Sequence, residues 1–438
     1  MIMLLLTINV ATAIPPLLNS LVIMISNLQP PRGTTDILPK EHRLYNQVQD
    51  IGREVTRLYG FQEISTPIFE SVDVFTRTLG ETSDVVTKEM YTFKDKKGRD
   101  LSLRPEGTAG VARAFISHMR SEPLPLKLYY QGPMFRYERA QKGRQRQFHQ
   151  FGVEVLGVAE PLADIEVIKL GSHILEELGV SEKVALQIST LGDVETRKAF
   201  RSILVAFFKE READLSKDSQ KRLAHNPLRI FDSKDERDKA IIADAPKLID
   251  HLNTASVDFF SAVQEGLVAA GVNFEINPFL VRGLDYYSHT AFEFVTETLG
   301  AQGAVIAGGR YDGLIETMGG PPTPGVGWAA GIERLMLMIN DMPSQEITVA
   351  LIPIGLEAEK KSIEIAGRLR LAGFVIDMGY SGNLKKRLKR ADKAGMSAAI
   401  IIGAEELAKE VATIRDMGTG IQMEVSLSSL EGALARFN

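Results

Sequence analysis

The sequence predicts an α+β fold built on an antiparallel sheet with a helical insertion, followed by a small α/β domain at the C-terminal end. Strand-like segments before residue 341 are scattered along the chain instead of alternating regularly with helices, which argues against a doubly wound parallel sheet. After Asp341 the pattern resets to short apolar strands that alternate with helices, as in parallel α/β domains. We therefore expect one domain at 29–344 and a second at 347–438.

The first elements of the larger domain are a helix and an edge strand. Apolar residues recur in steps of four and three over 44–58, which is the spacing of an amphipathic helix, and Gly60 ends it. The next strand is predicted at 63–69 and contains Pro67. Because proline cannot donate to a β-ladder, this strand belongs at a sheet edge, at a bulge or against another subunit.

The rest of the larger domain alternates strands and helices less regularly. The predicted elements are, in order, strands at 90–93 and 101–104, a helix at 108–115, a strand pair around Arg136 and Gln150, a helix at 164–178, strands at 279–282, 290–296 and 304–307, and a last strand and helix around Arg334. A charge-dense stretch broken at Asn226-Pro227 predicts the helical insertion at about 193–270. In the smaller domain, strands are predicted at 349–354, 374–378 and 398–402, with helices at 357–371 and 383–394.

Composition narrows the class of protein. The chain has 438 residues, of which 44% are hydrophobic and 24% charged, as expected of a globular protein with two or three domains. The net charge of -5 means that contact with nucleic acid would come from local basic patches. The count of zero cysteines excludes disulfides, Cys-ligated zinc and thiol nucleophiles, and fits a cytoplasmic protein.

The N-terminal segment differs from the rest of the chain. Its first charged residue is Arg32, and apolar runs are interrupted by Pro15 and Pro16. A signal peptide would need a positive start and a longer apolar centre, and a transmembrane helix would need about 20 apolar residues. We therefore expect 1–28 to be a disordered or mis-assigned leader, with Met24 as an alternative start, and expect no membrane attachment.

The strand pair around Arg136 and Gln150 places polar side chains where a core would be apolar. Alternate residues of a strand share a face, so Phe148, Gln150 and Glu154 line one face together with a gap at Gly152. Arg136 on the preceding strand brings a planar cation beside them. An aromatic ring, an amide, a carboxylate and a guanidinium would suit a phosphate with an adenine above it.

Two common nucleotide-binding loops are excluded or disfavoured. The chain contains no GxxxxGK[ST] sequence, so a P-loop is absent. Gly325, Gly327 and Gly331 do not have the GxGxxG spacing of a dinucleotide loop. These glycines are better explained as positions where a ligand can come close to the backbone, because glycine has no side chain. They precede a helix whose first turn carries Arg334, and the free backbone N–H groups of such a turn favour anions.

Three other segments carry side chains that an ordinary core would not contain. The apolar run before Arg282 continues as LVRGLDYY, GGRYDGL places Tyr311 beside two glycines, and RPEGT ends a strand and begins a helix. From local sequence, Glu106 and Thr108 in RPEGT are explained equally well as helix caps and as site residues.

Together these segments resemble a known enzyme class. FRYER with QFHQFGVE resembles motif 2 of the class II aminoacyl-tRNA synthetases, GVGWAAGIERL resembles motif 3, and the first helix with STPIFE resembles motif 1. LVRGLDYY and AGGRYDGL are more specific and resemble the histidine signatures of the histidyl-tRNA synthetase family. The resemblance runs from about Pro31 to the end, including NPLRIFDSK and GNLKKRLKRADKAGM. It implies a class II synthetase fold for the catalytic domain and an anticodon-binding role for the last domain.

The resemblance implies a two-step reaction. Histidine's carboxylate attacks the α-phosphate of ATP, and the histidyl group then passes to the 3' end of tRNA(His). The implied catalytic residues are Arg136 and Arg282. The implied histidine-binding residues are Glu106, Gly107, Thr108, Arg136, Gln150, Glu154, Arg282, Tyr286, Tyr287 and Tyr311. Within this set, Glu154 and Tyr287 would contact the imidazole nitrogens. The implied ATP-binding residues are Arg136, Glu138, Phe148 and Arg334.

The resemblance also implies partners. The implied tRNA-binding residues are Gln141, Arg144, Arg146, Lys385, Lys386 and Arg387. Mg²⁺ is expected with ATP and not at a metal site of the protein. A homodimer with motif 1 at its interface and a cytoplasmic location are expected.

Two other functions stay open at this point. The histidine-binding regulatory subunit of ATP phosphoribosyltransferase resembles the same catalytic domain, although such proteins generally lack the last domain and part of the arginine set. A synthetase for threonine, proline or glycine shares the general motifs, but LVRGLDYY and GGRYD argue against it.

Overall fold

The computed structural model describes residues 28–80, 83–139, 143–280, 284, 286–300, 303–343 and 348–437. The predicted leader therefore lies outside the described residues except for Leu28. The chain divides into two compact units, of which the first ends at Met342 and the second begins at Pro343. Among the described residues, no helix is both long and apolar enough to cross a membrane.

The described residues of the first unit form eleven strands in two sheets. The strands are β1 (Gln62–Glu63), β2 (Phe69–Ser71), β3 (Thr92–Lys94), β4 (Asp100–Leu103), β5 (Leu126–Phe135), β6 (Gln147–Leu156), β7 (Ala185–Thr190), β8 (Glu275–Ile276), β9 (Ser288–Val295), β10 (Ala304–Arg310) and β11 (Gly325–Gly331). The larger sheet has the order β1-β5-β6-β11-β10-β9-β7-β8, and the smaller has the order β2-β4-β3. In the larger sheet the two outermost pairs are parallel and the pairs between them are antiparallel.

The predicted α+β fold with an antiparallel sheet is therefore confirmed, and two strand predictions need correction. The strand predicted at 63–69 is two short strands, β1 and β2, because Pro67 interrupts the ladder between them. The strand predicted at 279–282 is wrong for its two described residues. There the Asn277 side chain accepts from the backbone N–H of Phe279 and forms a turn after β8.

Ten α-helices are found in the described part of this unit. They are α1 (Pro39–Leu58), α2 (Val72–Leu79), α3 (Thr108–Ala114), α4 (Pro161–Glu177), α5 (Val194–Lys209), α6 (Lys217–His225), α7 (Glu236–Ala243), α8 (Thr254–Ala269), α9 (Leu314–Thr317) and α10 (Ile332–Met336). Single π-helical turns are found at Val85–Glu89 and Phe115–Met119. Helices α5 to α7 have their own core around Phe200, Leu204 and Phe208, which confirms the helical insertion.

The two faces of the large sheet have different surroundings. Helices α1, α4 and α8 supply apolar side chains that pack with Phe151 and Trp328 of the sheet in one continuous core. A second, smaller core contains Tyr130, Tyr287 and Tyr311, together with α3 and α9. The alternation of β6 explains the division, since Phe151 and Glu154 belong to opposite faces of the same strand. The polar groups of the site lie with the second core.

A buried ion pair ties the sheet to α4. Arg310 at the end of β10 donates through Nε to Asp164 Oδ2 at 3.0 Å, and both side chains are 0% exposed. The same guanidinium donates to the backbone oxygens of Val158 and Glu160. Burial raises the pKa of Asp164, while Arg310 opposes that shift. Because each nitrogen of the Arg310 guanidinium has a hydrogen-bond partner, we interpret this ion pair as a structural link between β10 and α4.

The second unit is a small α/β domain of its own. Its described strands are β12 (Thr348–Pro353), β13 (Val375–Met378), β14 (Ala398–Ile402), β15 (Val411–Asp416) and β16 (Gln422–Ser426), and its helices are α11 (Leu356–Leu371), α12 (Leu384–Lys393), α13 (Ala404–Ala408) and α14 (Leu430–Leu434). The sheet order is β13-β12-β14-β15-β16. The first three strands are parallel, as predicted, whereas β15 and β16 extend the sheet in antiparallel fashion.

Candidate active site

The large sheet carries a cleft of about 320 Å³ beside the second core. The predicted site residues that line this cleft are Glu106, Thr108, Arg136, Glu138, Arg144, Phe148, Gln150, Tyr286, Tyr287, Tyr311 and Arg334. These residues come from five separate parts of the first unit, and the sheet order brings them together because β6, β11, β10 and β9 are neighbours. Arg282 and Gln141 fall outside the described residues.

A buried carboxylate lies beside the cleft. Glu154 of β6 is fully buried, and its Oε1 accepts from Thr108 Oγ1 at 2.6 Å while its Oε2 accepts from Tyr311 Oη at 2.5 Å. Burial raises the pKa of Glu154 to about 8, although these two hydroxyl donors lower it in part. Two hydroxyl hydrogen bonds therefore fix the orientation of a carboxylate whose ionised form is costly.

Three glycines leave room for this arrangement. A Cβ at Gly327 would lie 1.9 Å from Glu154 Oε2. A Cβ at Gly107 or Gly152 would lie 2.1 Å and 2.3 Å, respectively, from the ring of Tyr130. Gly107, predicted from the resemblance to bind histidine, thus has a direct steric role in seating Tyr130. Sequence reasoning did not identify Tyr130, because a tyrosine in an apolar strand is usually a packing residue.

Glu106 combines the two interpretations that its local sequence allowed. Its carboxylate accepts from the backbone N–H groups of Thr108 at 2.7 Å and Ala109 at 2.8 Å, so it caps α3. Burial raises the pKa of Glu106, and the two backbone donors oppose that shift. Thr108 does not cap the helix with its side chain, which donates to Glu154. Glu106 and Thr108 both line the cleft, so capping and a role in the site coexist.

Aromatic rings form another wall of the cleft. Tyr286 lies 4.6 Å from Tyr287 and 5.8 Å from Tyr311, measured between ring centroids. Burial raises the pKa of both Tyr286 and Tyr311 well above the usual value. Both hydroxyl groups therefore stay protonated at neutral pH, which is the form in which Tyr311 donates to Glu154.

Cations gather in the same cleft. Arg136 Nε donates to the Pro105 oxygen at 2.8 Å, which leaves the rest of its guanidinium 5.5 Å from the Phe148 ring centroid. Glu138 pairs with Arg144 at 2.8 Å and lies 3.7 Å from Arg136. Burial lowers the pKa of Arg334, and repulsion from Arg144 adds to that effect. Guanidinium groups held close together despite this repulsion indicate a site for a polyanion.

Glu333 makes a connection that the sequence did not reveal. The β6–β11 ladder ends at the pair Gln150 and Gly331, since the chain turns into α10 after Gly331. Beyond that pair, the Glu333 side chain replaces the backbone acceptor of the ladder. Its carboxylate accepts from the His149 backbone N–H at 3.0 Å and lies 2.7 Å from His149 Nδ1. The Tyr45 ring of α1 packs edge-on against His149. Glu333 and His149 together thus connect segments of all three predicted motifs.

The residues predicted to bind tRNA have different surroundings. Arg144 lines the cleft, and the Arg146 guanidinium lies 3.9 Å over the Tyr137 ring. In the second unit, Lys385 and Lys386 of α12 are exposed. Arg387 is only 9% exposed, because it donates to the Gly382 and Pro353 oxygens. Of this helix's three predicted residues, the two lysines are therefore the ones that are presented to solvent.

Comparison with known proteins identifies the family to which the chain belongs. Residues 33–335 match the family described as histidyl-tRNA synthetase, and residues 348–436 match the anticodon binding domain. The histidine–tRNA ligase of Rhodospirillum rubrum is 57% identical over 411 residues, which cover 94% of this chain and 99% of that protein. The histidine–tRNA ligase of Gluconobacter oxydans is 51% identical over 411 residues with the same coverage. The crystal structure of apo S. aureus histidyl-tRNA synthetase matches with a TM-score of 0.78 and 36% identity, covering 93% of this chain and 99% of that one. The chain therefore belongs to the histidyl-tRNA synthetase family.

Proposed function

We propose that the protein activates histidine with ATP, giving histidyl-adenylate and pyrophosphate, and then transfers histidine to the 3' end of tRNA(His). The observation that carries this proposal is the oriented, buried carboxylate of Glu154 beside a cleft that also holds Arg136 and Arg334. A carboxylate of this kind suits an imidazole N–H, and the arginines suit a triphosphate.

Histidine recognition is assigned to Glu154 and Tyr287. Imidazole has two separated nitrogen atoms, and a site that hydrogen-bonds both leaves its own buried groups unpaired when an apolar mimic binds. Thr108 and Tyr311 already orient Glu154, so the incoming ring meets a preorganised partner. This arrangement supports strong discrimination without an editing step.

The α-amino and carboxylate groups of the substrate are assigned to Glu106, Gln150 and Arg282. Gln150 lines the cleft, and its buried Oε1 has no hydrogen-bond partner among the described residues. A buried amide oxygen without a partner is costly, and a substrate ammonium group would supply the missing donor. Arg282 is included because of its place in LVRGLDYY.

ATP is assigned to Arg136, Glu138, Phe148 and Arg334. Phe148 offers its ring to the adenine base, and the adjacent Arg136 would meet the α-phosphate. Two anions must approach each other in the first step, because the histidine carboxylate attacks a phosphate. Cations held in place before the reaction stabilise the charge that gathers in its transition state. Arg136 and Arg282 are the residues to which we assign that role.

Mg²⁺ is proposed as a companion of ATP. Magnesium is commonly bound through one or two carboxylates together with substrate phosphates, and it retains several waters. Glu293 of β9 lines the cleft, and its negative charge acts on Arg334. Its carboxylate is the group that we assign to face a metal-bound triphosphate.

tRNA contact is assigned to two basic surfaces. The first is the 139–146 loop with Gln141, Arg144 and Arg146, and the second is α12 with Lys385 and Lys386. We propose a cytoplasmic location, since charged tRNA is consumed by translation there. Affinity for tRNA should fall as salt rises, because lysine contacts to phosphate release counterions.

A homodimer is supported by exposed apolar side chains of the small sheet. Phe69 and Phe93 pack edge-to-face 6.3 Å apart, yet are 54% and 43% exposed, respectively, and Ile68 beside them is also exposed. Apolar clusters of this kind are commonly buried in protein interfaces. Since Ile68 and Phe69 belong to the STPIFE segment, we assign this surface to the second copy of the chain.

ATP–pyrophosphate exchange with each amino acid in turn tests the proposal. Exchange that depends on histidine alone is the expected result. Histidine binding without exchange would instead indicate a regulatory subunit of the ATP phosphoribosyltransferase kind. Exchange with threonine, proline or glycine in place of histidine would contradict the assignment of Glu154 and Tyr287.

A further inference from the structure

The start of the helical insertion is hydrogen-bonded to the segment that carries Tyr287. The backbone N–H of Leu191 donates to the His289 oxygen at 2.6 Å, and the backbone N–H of His289 donates to the Gly192 oxygen at 2.9 Å. Arg197, in the first turns of α5, donates through Nη1 to the Tyr287 oxygen at 2.6 Å. Three hydrogen bonds within a few residues thus hold the chain just where it enters β9.

Arg197 occupies an unfavourable environment to make this bond. Burial lowers its pKa, although Asp193 and Asp312 oppose that shift. Its Nε is buried and has no hydrogen-bond partner among the described residues. An arginine that served only solubility or a surface ion pair would remain in water, where neither cost applies. The position of Arg197 is therefore explained by the carbonyl that it contacts.

The carbonyl that Arg197 contacts belongs to Tyr287, whose ring is confined by neighbouring residues. Tyr287 is buried, and a Cβ at Gly309 of β10 would lie 2.8 Å from its Cδ1 atom. The ring of Tyr286 packs against it at 4.6 Å. Gly309 and Tyr286 thus limit where the ring can lie, and Arg197 limits where the backbone beneath it can lie. Without the hydrogen bond from Arg197 to its backbone, Tyr287 could shift, and its hydroxyl would move within the cleft.

We propose that Arg197 is a positioning residue for histidine binding, through which the helical insertion fixes Tyr287 in the substrate pocket. The inference rests on the proposed activation of histidine. It predicts a defect confined to the amino acid, because Arg136 and Phe148 on the ATP side make no described contact with Arg197. Arg197 itself needs no contact with substrate.

The test compares Arg197→Gln with two other variants in histidine-dependent ATP–pyrophosphate exchange. Arg201→Gln is the matched control, since Arg201 lies one turn further along α5 and is exposed. Arg197→Lys keeps the charge and one donor. We expect Arg197→Gln to raise the histidine KM about tenfold, the effect of losing one hydrogen bond from a charged donor. The ATP KM should stay within about twofold of wild type, Arg197→Lys should recover part of the loss, and Arg201→Gln should match wild type.

Two outcomes would overturn the inference. One is an unchanged histidine KM in Arg197→Gln, and the other is a parallel rise of the histidine and ATP KM values, which indicates general damage. If Arg197→Gln fails to fold, as judged by its thermal unfolding, the same two criteria apply to Arg197→Lys. Absence of histidine-dependent exchange in the wild type would instead contradict the proposed function, so the two failures are distinguishable.

Discussion

Thr108 donates its hydroxyl hydrogen to Glu154 across 2.6 Å, and both side chains are buried. The bond joins the first residue of α3 to the middle of the large sheet, so the helix that Glu106 caps also orients the carboxylate of β6. Tyr311 donates to the other oxygen of the same carboxylate. Segments that lie far apart in sequence thus converge on Glu154, the residue to which we assign histidine recognition.

Glu154→Gln should therefore weaken histidine binding strongly. The amide keeps the size of the side chain but cannot ionise, whereas above about pH 8, where the measurement is made, Glu154 offers a charged acceptor to an imidazole N–H, and a hydrogen bond of that kind is worth about 1.5–3 kcal/mol. We expect the histidine dissociation constant, measured by calorimetry, to rise at least about tenfold. ATP binding serves as the internal control and should change little. An unchanged histidine affinity would remove Glu154 from the site.

The same carboxylate should leave a signature in stability as pH changes. The pKa of Glu154 is raised to about 8, so between about pH 5.5 and pH 8 the native state holds a proton that the unfolded state has released. Stability provided by the protonated form is therefore lost as pH rises through that range. Relative to Glu154→Gln, the wild-type free energy of unfolding should fall by about 3 kcal/mol over that window. Urea unfolding of both proteins checks this, and parallel pH profiles would contradict it.

The elements that the sequence predicted best are those whose pattern is local. The strand predicted at 398–402 has the same bounds in the structure, because an uninterrupted apolar run needs no information from elsewhere. The class II α+β fold, the helical insertion and the family are confirmed. The strand predicted at 279–282 failed because Pro278 and the Asn277 side chain favour a turn over a ladder at Phe279 and Leu280. The domain bounds and the roles of site residues stay predictions.

The site residues that sequence reasoning missed depend on contacts between distant segments. His149 lies on the opposite face of β6 from Phe148, apart from the polar set on that strand, and Glu333 is next to Arg334 with no local pattern that points to His149. Arg197 belongs to an insertion dense in charged residues, where its sequence neighbours do not distinguish it from a surface arginine. A signal for Glu333 was nevertheless present, because a ladder that ends in a helix leaves a strand N–H without its backbone acceptor.

Breaking the buried ion pair between Asp164 and Arg310 should affect stability and not the chemistry of the cleft. Asp164→Ala leaves the Arg310 guanidinium buried without its main countercharge, which costs about 3–5 kcal/mol. Asp100→Ala is the control, because its pair with Lys94 is exposed and should contribute less than about 1 kcal/mol. Urea denaturation measures both. Equal effects of the two substitutions would show that burial does not govern the contribution of the Asp164 pair.

Glu333→Gln should impair ATP binding more than histidine binding. Its carboxylate accepts from the backbone of His149, the neighbour of Phe148, and it precedes Arg334 in α10. The amide retains only one acceptor oxygen, so the distance between β6 and α10 becomes less fixed. We expect the ATP KM in pyrophosphate exchange to rise several-fold, roughly the effect of one weakened hydrogen bond. A rise in the histidine KM with an unchanged ATP KM would contradict this role.

Charge reversal on α12 should affect tRNA and leave amino acid activation intact. Lys385→Glu combined with Lys386→Glu removes two exposed cations, so tRNA(His) affinity should fall and its dependence on salt should become less steep by roughly two units of logarithmic slope at most. Lys360→Glu combined with Lys361→Glu is the control, since these lysines of α11 already pair with Glu357 and Glu364. Filter binding over a range of salt concentrations measures both. Equal losses in the two double variants would indicate a general effect of charge.

Ligation of labelled histidine to tRNA(His) in the presence of ATP and Mg²⁺ measures the complete proposed reaction. We expect the wild-type protein to attach histidine to the 3' end of the tRNA, and Glu154→Gln to lose most of this activity under the same conditions. Failure of the wild-type protein to charge tRNA(His), or full charging by Glu154→Gln, would contradict it.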